Sequence, residues 1–491
     1  MVKSDVSEFL RAVLSKYGMS EEEYKRLLSL ANRLRKELED IIREVYGPVG
    51  VKARVAGSIS RRTSLNTEFD VDIFVVHPRS FSFSEISELF EKAALKFYKM
   101  YNVVPVREYA AHPYFKGTIG EKDIRITVEI IPCFEWKPGE KVKSPVDRSI
   151  EHNRWLNSAY MREPRTRNLA VALKVFFKSL GIYGAEARVG GFSGYLTELL
   201  AVYYRDLIRA LKDMRSWKSR RVMLSFKEMA SKRTHEIIKE CSSMIFLDPV
   251  DPDRNAAAAV REDSIRTLCE AANEAISLIE EGDFEGLSRM FSLEYDESFI
   301  ERQIMSLFRS NMKDLFVLEL PKELCNLHPD VLYTELMRTA EGVKDKLASF
   351  GINAEYFIDY KNARVFLRIT KPSDGTVIRL GPYANMIRDE IKFLKRNLHK
   401  DDALILAFCG ERWYILKRAF TNIMEFLHRV IKESTHGKDI REYIAKGKYR
   451  ILHGKDAYKA ITSLDVEEKA KFLIFYLKIK PWMVRKPWST R

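Results

Sequence analysis

The chain has 491 residues, of which 46% are hydrophobic, and it carries a formal net charge of +14 at pH 7. A chain of this length can bury several cores and favours three or four domains of ordinary size. It has no segment approaching the ~20 apolar residues that cross a bilayer, and its first residues, MVKSDVSEFL, lack the basic stretch and apolar run of a signal peptide. We therefore expect a globular, cytoplasmic protein with no membrane partner.

The cysteines are odd in number and widely separated: Cys133, Cys241, Cys269, Cys325 and Cys409. Their spacing matches neither a pair of metal ligands nor a disulfide framework. Zinc and structural disulfides are therefore not expected.

The first part of the chain alternates helical and β patterns. Apolar residues at helical spacing predict a helix over residues 21–45 that ends at Gly47. The next segment predicts a strand, a tight turn at Gly57 and Ser58, a short helix, and a second strand over residues 69–76.

A helix over residues 84–101 and the β-rich segment RITVEIIPCF follow, and a helical pattern then covers residues 153–211. Beyond the loop FLDPVDPDRN, helices continue to about residue 308. The segments DLFVLEL, AEYFIDY and ARVFLRIT predict strands, with a helix over residues 333–350 between the first two. This β-α-β-β series indicates a small separate module, and the remainder mixes helices with a strand at ERWYILKR.

Two strands carry carboxylates that strand alternation places together. In FDVDIFVV, Asp70 and Asp72 share one face, because alternate side chains of a strand point the same way. In RITVEIIP the same alternation isolates Glu129 among apolar residues. Like charges on apolar strands repel and need a compensating cation, and Mg²⁺ is a hard cation that prefers oxygen ligands. The three acids therefore predict a site for two ions.

The context of these acids matters, because an Asp-x-Asp pair alone is common and usually marks a turn or an exposed strand face. Here the segment Gly57-Ser58-x-x-Arg61-x-Thr63 ends seven residues before Asp70. The turn opens a short helix whose free N–H groups and dipole suit a triphosphate. Ser58 adds a hydroxyl donor and Arg61 a positively charged fork. A Gly-Ser turn by itself is mostly a turn or a helix cap, so only the combination is specific.

The positive charge is unevenly distributed, since residues 432–491 hold 15 basic and 7 acidic residues, a net +8. Aromatic residues are interleaved with this charge, as in KYR at residues 448–450. The combination favours a polyanionic partner. The alternative is a solvated basic surface that serves solubility alone.

The segment GSISRRT, followed by DVD, resembles the signature of the DNA polymerase β type nucleotidyltransferase superfamily. Further segments resemble one family within it, the archaeal-type (class I) CCA-adding enzymes, which are tRNA nucleotidyltransferases: HPYFKG, EIIPCF, SPVDRSIEHNRWL, GIYGAEARVGGFSGYLTELL and FLDPVDPDRN. The resemblance covers nearly the whole chain, and residues 181–200 are its most distinctive stretch.

The resemblance implies an α+β multidomain fold. An N-terminal nucleotidyltransferase fold, with a mixed sheet and helices, would precede a helical central domain and C-terminal α+β RNA-binding domains. The expected domains are a catalytic domain at 1–150, a helical nucleotide-binding domain at 151–262, an RNA-binding body at 263–312 with 383–491, and a β-α-β-β module contacting tRNA at 313–382.

The resemblance also implies roles for individual residues. Two Mg²⁺ ions would be held by Asp70, Asp72 and Glu129. The nucleotide would be bound by Gly57, Ser58, Arg61, His152, Lys174, Tyr183 and Arg254. Many relatives carry aspartate where this chain has Glu129, and the extra methylene alters the reach of that ligand.

A purely structural interpretation stays open for several of these residues. Lys174 lies on a helix face that solvent can cover, and Tyr183 can pack against and cap its helix. His152 and Arg254 belong to residue types that more often lie on the surface or are satisfied within the core. The segment GGFSG at residues 190–194 lacks the spacing and lysine of a Walker loop, so close helix packing explains it better.

The implied activity is template-independent addition and repair of the 3′-terminal CCA of tRNA. CTP and ATP would be the donors, with pyrophosphate released by two-metal-ion, in-line transfer. The second half of the chain would bind the acceptor stem and T arm by backbone and shape, with Lys446, Lys448 and Arg450 at the phosphates. A poly(A) polymerase or other terminal transferase, and a non-catalytic RNA-binding protein, remain alternatives. The sequence leaves the oligomeric state open and allows a homodimer.

Overall fold

The computed structural model describes residues 2–109, 113–121, 124–219, 221–226, 243–310, 312–369, 376–398, 403–418 and 422–488. His112 of the HPYFKG segment and Cys241 lie outside these residues. The chain divides into two compact units, one of Met1–Leu293 with Arg485–Arg491 and one of Glu294–Val484. The four expected domains are finer than these units and stay a prediction. Within the described ranges, no helix is long and apolar enough to cross a membrane.

The first unit opens with a mixed α/β region. Its elements, in chain order, are α1 (Val2–Tyr17), α2 (Glu21–Tyr46), β1 (Lys52–Ala56), α3 (Gly57–Arg61), β2 (Asp70–His77), α4 (Phe83–Met100), β3 (Val106–Tyr109), β4 (Pro113–Glu121) and β5 (Ile124–Phe134). The strands form one sheet in the order β1-β2-β5-β4-β3. Strands β2 and β5 are parallel, and the other neighbours are antiparallel.

Helix α2 begins and ends close to where the sequence predicts. Ser20 and Glu23 form a capping box at its start, and Gly47, with φ +73°, ends it. The apolar face of α2 packs with α4 against one face of the sheet. Val71 and Ile73 are buried in this core. Because side chains alternate along a strand, Asp70 and Asp72 point to the other face of the sheet.

The rest of the first unit is mainly helical. Its elements are α5 (Ser149–Arg162), α6 (Arg165–Ser179), α7 (Gly194–Tyr204), α8 (Leu207–Met214), β6 (Val222–Leu224), β7 (Met244–Phe246), α9 (Glu262–Glu281) and α10 (Phe284–Met290). A short 3₁₀ helix, Pro145–Arg148, leads into α5. The start of α5 packs over part of the sheet face that carries the acids, where Ile150 contacts a small cluster of Ala56, Phe74 and Cys133.

The second unit contains two further sheets. Its elements are α11 (Glu297–Arg309), β8 (Leu315–Glu319), α12 (Pro329–Ala348), β9 (Ala354–Asp359), β10 (Arg364–Ile369), β11 (Thr376–Tyr383), α13 (Ile387–Asn397), β12 (Ala403–Cys409), β13 (Arg412–Arg418), α14 (Ile423–Glu433), α15 (Lys438–Ala445), β14 (Arg450–His453), α16 (Lys455–Thr462) and α17 (Val466–Leu477). The sheets have the orders β14-β8-β10-β9 and β11-β13-β12. The predicted β-α-β-β series is therefore confirmed, and β14 adds a strand that was not predicted.

Candidate active site

The sheet brings the three predicted acids together. In the parallel pairing of β2 with β5, Asp72 lies opposite Glu129, and Asp70 lies opposite Thr127. Asp72 also faces Ala56 of β1 on its other side. Directly opposed and alternate residues of neighbouring strands share a face, so the three carboxylates occupy one face of adjacent strands.

The charges of these acids oppose one another. Burial, with the negative charges of Glu129 and Asp70, raises the pKa of Asp72 to about 7. Lys116 on β4 partly offsets the repulsion, with Nζ 2.7 Å from Glu129 Oε1. Among the described residues, no three acidic, histidine or cysteine side chains are already grouped as ligands of one ion. The donor set nevertheless fits Mg²⁺, because its hard oxygens carry a negative charge that needs a cation.

The turn before α3 is built around Gly57. Its φ is +73°, and a Cβ atom at this position would lie 1.7 Å from Asp72 Oδ2. Only glycine leaves room for the carboxylate so close to the backbone. Ser58 opens the same short helix, and its Oγ lies 2.7 Å from Ser64 Oγ. The phosphate turn predicted from the sequence thus directly adjoins the acids.

Arg61 makes a largely buried, two-point ion pair. Its Nε and Nη2 donate to the two carboxylate oxygens of Glu198 on α7, at 2.8 and 2.7 Å. Its Nη1 donates to Asn153 Oδ1 on α5 at 2.6 Å. Tyr160 and Thr63 also donate to Glu198. The fork of Arg61 therefore ties the end of α3 to two helices of the helical region.

Lys174 and Tyr183 belong to a second charged cluster. Lys174 on α6 is buried and pairs with Glu68, and Lys178 Nζ lies 2.5 Å from the same carboxylate. Both ammonium groups approach the ring of Tyr183, at 5.6 and 5.4 Å from its centroid. Burial opposes ionisation of Glu68, but the two lysines outweigh it and lower its pKa. Because Glu68 precedes Asp70 by two residues, this cluster adjoins the acidic strand.

His152 and Arg254 meet at a carboxylate that was not predicted. His152 Nε2 lies 2.9 Å from Asp248 Oδ2, and Arg254 Nη1 donates to the same oxygen at 2.7 Å. The hydroxyl of Tyr195 donates to Asp248 Oδ1 at 2.9 Å. The Tyr195 ring stacks on His152 with centroids 4.0 Å apart. One fully buried acid thus orients three side chains from α5, α7 and the loop after β7.

The glycine-rich segment at residues 190–194 packs closely, as predicted. A Cβ atom on Gly191 would lie 2.0 Å from the carbonyl oxygen of Ile182. Ser193 then caps α7 by accepting a hydrogen bond from the backbone of Leu196. This close approach fixes α7, which carries both Glu198 and Tyr195, against the loop that carries Tyr183.

Two family models match the chain in separate regions. A model described as tRNA nucleotidyltransferase, second domain, matches residues 169–284. A model described as CCA-adding enzyme, C-terminal domain, matches residues 315–454.

Curated relatives are similar over longer stretches. The CCA-adding enzyme of Archaeoglobus fulgidus is 27% identical over 92% of this chain and 96% of its own length. The CCA-adding enzyme of Methanocaldococcus jannaschii is 29% identical over 70% of this chain and 72% of its own length. The chain is thus similar to CCA-adding enzymes over most of its length, in both matched domains. The resemblance stated from the sequence is therefore confirmed.

Solved structures show a more distant likeness to this chain. A cytoplasmic RNA terminal U-transferase covers 57% of this chain and 94% of its own, at 15% identity and a TM-score of 0.43. A likeness of this size supports no argument about function.

Sequence reasoning missed several residues that contact the predicted site residues: Glu68, Lys116, Tyr195, Glu198 and Asp248. Most meet their partners across long stretches of chain, and local spacing gives no signal of such contacts. Lys116 is the exception. The segments KGTIG and RITVE form an antiparallel hairpin, and its register would have paired Lys116 with Glu129.

The residues predicted to contact tRNA lie in the second unit. Lys446 is exposed and pairs with Glu442 on α15. Lys448 is also exposed, and it lines an open cavity of about 310 Å³ together with Arg450. Arg450 Nε donates to Glu319 at 2.9 Å, although 74% of its side chain is exposed. Two of the three cations thus have carboxylate partners at the surface.

Proposed function

We propose that this chain is a CCA-adding enzyme, which extends and repairs the 3′ end of tRNA without a template, using CTP and ATP and releasing pyrophosphate at each addition. The observation that supports this most directly is the placement of Asp70, Asp72 and Glu129 on one sheet face beside the Gly57 turn. The similarity of the chain to CCA-adding enzymes supports the choice of substrates.

Asp70, Asp72 and Glu129 would hold two Mg²⁺ ions. When bound, these ions lower the pKa of the primer 3′-hydroxyl and neutralise charge on the triphosphate. The chain contributes a rigid arrangement of ligands, because all three acids lie on hydrogen-bonded strands. Asp72 must be ionised to act as a ligand, and a bound cation would favour its ionised form.

The nucleotide would lie against the Gly57 turn, with Ser58 donating to the triphosphate and Lys174 supplying a positive charge. The ring of Tyr183 packs beside Lys174 and orients it. Arg61 has its fork engaged by Glu198, so we infer that it acts chiefly by holding the turn in place. The pairs of His152 and Arg254 with Asp248 fix two further side chains for the nucleotide.

The second unit would bind the acceptor stem and T arm of tRNA. An enzyme that accepts every tRNA must recognise shared shape and phosphates rather than one sequence. Lys446, Lys448 and Arg450 are exposed cations suited to this task.

Incorporation of labelled CTP and ATP into tRNAs that end before CCA, after C and after CC tests the function. We expect CTP to be used on the first two substrates and ATP on the third, each step requiring Mg²⁺. Extension of all three by ATP alone would indicate a poly(A) polymerase. RNA binding without any incorporation would indicate a non-catalytic protein, and either result would contradict the proposal.

A further inference from the structure

Lys116 occupies a defined place beside the three acids. It lies on β4 with its Cα directly opposite that of Glu129 on β5. Its ammonium group is 2.7 Å from Glu129 Oε1, a charge-assisted hydrogen bond. The backbone pairing of two central strands fixes this neighbour relationship, so the contact does not depend on a mobile loop.

The local charge balance makes this contact significant. Asp70, Asp72 and Glu129 together carry up to three negative charges on adjacent positions of two strands. Among the residues that the structure describes, Arg61 is the other cation near Asp72, but its donors are directed to Glu198 and Asn153. Within the same residues, Lys116 is therefore the cation whose ammonium group donates directly to the acidic cluster.

We propose that Lys116 is a positioning residue that holds Glu129 in the metal-free enzyme and competes with a divalent cation for that carboxylate. The proposal rests on the proposed function, in which Glu129 is a metal ligand. A unit positive charge next to a divalent ion opposes binding of that ion. Lys116 thus reduces the repulsion among the three carboxylates when no metal is bound. It also lowers the affinity of the site for a divalent cation.

The side chains have room for this exchange. The side chain of Lys116 is 42% exposed, so its ammonium can move into water when a metal takes Glu129. Glu129 is 20% exposed and has one more methylene than aspartate, which helps it to reach across to β4. The exchange needs only side-chain rotation, because the strands on either side keep their pairing.

Binding of Mn²⁺ to the nucleotide-free full chain, followed by the electron paramagnetic resonance signal of free Mn²⁺, tests the proposal without an activity assay. For Lys116→Met we expect the Mn²⁺ dissociation constant to fall by about three- to tenfold. Without metal this variant should have a lower melting temperature than the unmodified protein. The rise in melting temperature on adding Mn²⁺ should be larger, since tighter binding stabilises the folded state more.

Lys96→Met is the matched control. Lys96 lies in the same region, its side chain is also 42% exposed, and it pairs with Glu44 away from the acids. Its Mn²⁺ affinity should equal that of the unmodified protein. Lys116→Arg keeps the charge and should keep the weaker affinity of the unmodified protein. Lys116→Gln also removes the charge but keeps a polar side chain, and it provides the same test if the methionine variant does not fold.

An affinity of Lys116→Met equal to or weaker than that of Lys96→Met would overturn the proposal and make Lys116 a structural partner of Glu129. This failure is distinct from failure of the proposed metal site. If the unmodified protein and Asp72→Asn bound Mn²⁺ equally, the acids themselves would not be its ligands.

Discussion

Two cations that we expect at the nucleotide already have carboxylate partners. These partners are largely buried, and the pairs are Lys174 with Glu68 and Arg254 with Asp248. Held side chains lose little conformational freedom when a ligand arrives, which favours binding. A triphosphate carries several negative charges and can therefore compete with a single carboxylate. We infer that nucleotide binding exchanges partners in a site that is already ordered.

Replacing one of the aspartates on β2 should stop the reaction but leave RNA binding intact. We expect Asp70→Ala or Asp72→Ala to abolish addition of both CTP and ATP, because these acids serve the chemistry. Binding of tRNA to the variants, measured by filter retention, should match that of the unmodified protein. A comparable loss of tRNA affinity would show that these acids act in RNA binding or folding instead.

Substitutions of Lys174 and Tyr183 should affect the use of CTP and the use of ATP in the same direction. Lys174→Ala should raise the KM for CTP and for ATP by about tenfold or more, since it removes a hydrogen bond from a charged group. Tyr183→Phe should give a smaller rise for both. The fold should tolerate Lys174→Ala, because Lys178 still pairs with Glu68. Steady-state kinetics with each nucleotide provide the measurement, and an effect confined to one nucleotide would argue against a single shared site.

The Asp248 cluster should make the protein sensitive to acid. Burial opposes ionisation of Asp248, but the hydrogen bond from His152 and the charge of Arg254 outweigh it and hold its pKa well below the usual range. Its contribution to stability is therefore present above the ordinary pKa of about 4 and is lost as the pH falls further. Burial lowers the pKa of His152, so the folded state also loses stability as the pH falls below about 6.5.

Unfolding in urea across pH 3 to 7 measures this sensitivity. Asp248→Asn should lower the free energy of unfolding near pH 7 by about 1 to 2 kcal/mol, because Arg254 and His152 lose a charged partner, although water can screen the partly exposed Arg254. Its stability should then change less than that of the unmodified protein below about pH 4. The control is Asp40→Asn, which removes an exposed partner of Arg43 and should change stability by less than about 0.5 kcal/mol. Parallel pH curves for Asp248→Asn and the unmodified protein would refute the assignment.

At the scale of elements, the sequence predicted what depends on local pattern. Alternation in FDVDIFVV placed Asp70 and Asp72 on one face, and the register of β2 with β5 agrees. Apolar spacing predicted α2, found at Glu21–Tyr46. Helix α1 was not predicted. Strand β14 was missed because its pairing with β8 joins segments more than a hundred residues apart. The contact between Arg61 and Glu198 was missed for the same reason, because residues that are far apart in the sequence give no signal in the local spacing.

The turn between β1 and α3 should not tolerate a side chain. In Gly57→Ala the new Cβ would collide with the carboxylate of Asp72, in addition to the strain of a positive φ. We expect loss of nucleotide addition by at least about a hundredfold, because a 1 Å displacement of a reacting group can cost that much. Gly50→Ala is the control, since Gly50 also has a positive φ but its Cβ would meet only Pro78 at 3.6 Å.

Urea unfolding of the two glycine variants distinguishes the effect of backbone strain from the effect of displacing the Asp72 carboxylate. Both should lose about 1 kcal/mol or somewhat more of stability from backbone strain, while only Gly57→Ala should lose activity. Similar activities for the two variants would mean that the close contact with Asp72 is unimportant for the reaction.

At the scale of the whole molecule, the charge is concentrated near the C-terminal end of the chain. Residues 432–491 account for +8 of the net +14. Exposed ion pairs such as Lys446 with Glu442 contribute little to stability, so a phosphate can replace the carboxylate at small cost. The surface thus remains available to RNA even though two of its cations are paired.

Removing Lys446, Lys448 and Arg450 together should therefore weaken tRNA binding without impairing the reaction itself. Each lost phosphate contact should flatten the dependence of the logarithm of affinity on the logarithm of salt concentration by up to about one unit. Arg450 and Lys446 must break their ion pairs with carboxylates before they can bind phosphate. Each of them should therefore contribute less than one unit to the slope. The triple alanine variant should raise the KM for tRNA and leave the rate at saturating tRNA nearly unchanged. Titrations of tRNA binding over a salt series provide the measurement.

A second triple variant controls for the change in net charge. Lys25, Arg33 and Arg43 also pair with acids on their own helix, α2. Replacing all three with alanine removes the same +3 from the molecule at a surface with no proposed RNA contact. If the affinity and slope change equally in both triple variants, general attraction explains the effect. If neither changes, residues 446–450 are solvated surface and the RNA binds elsewhere. A specific loss in the first variant alone would support the assignment, because steering by net charge acts on both variants equally.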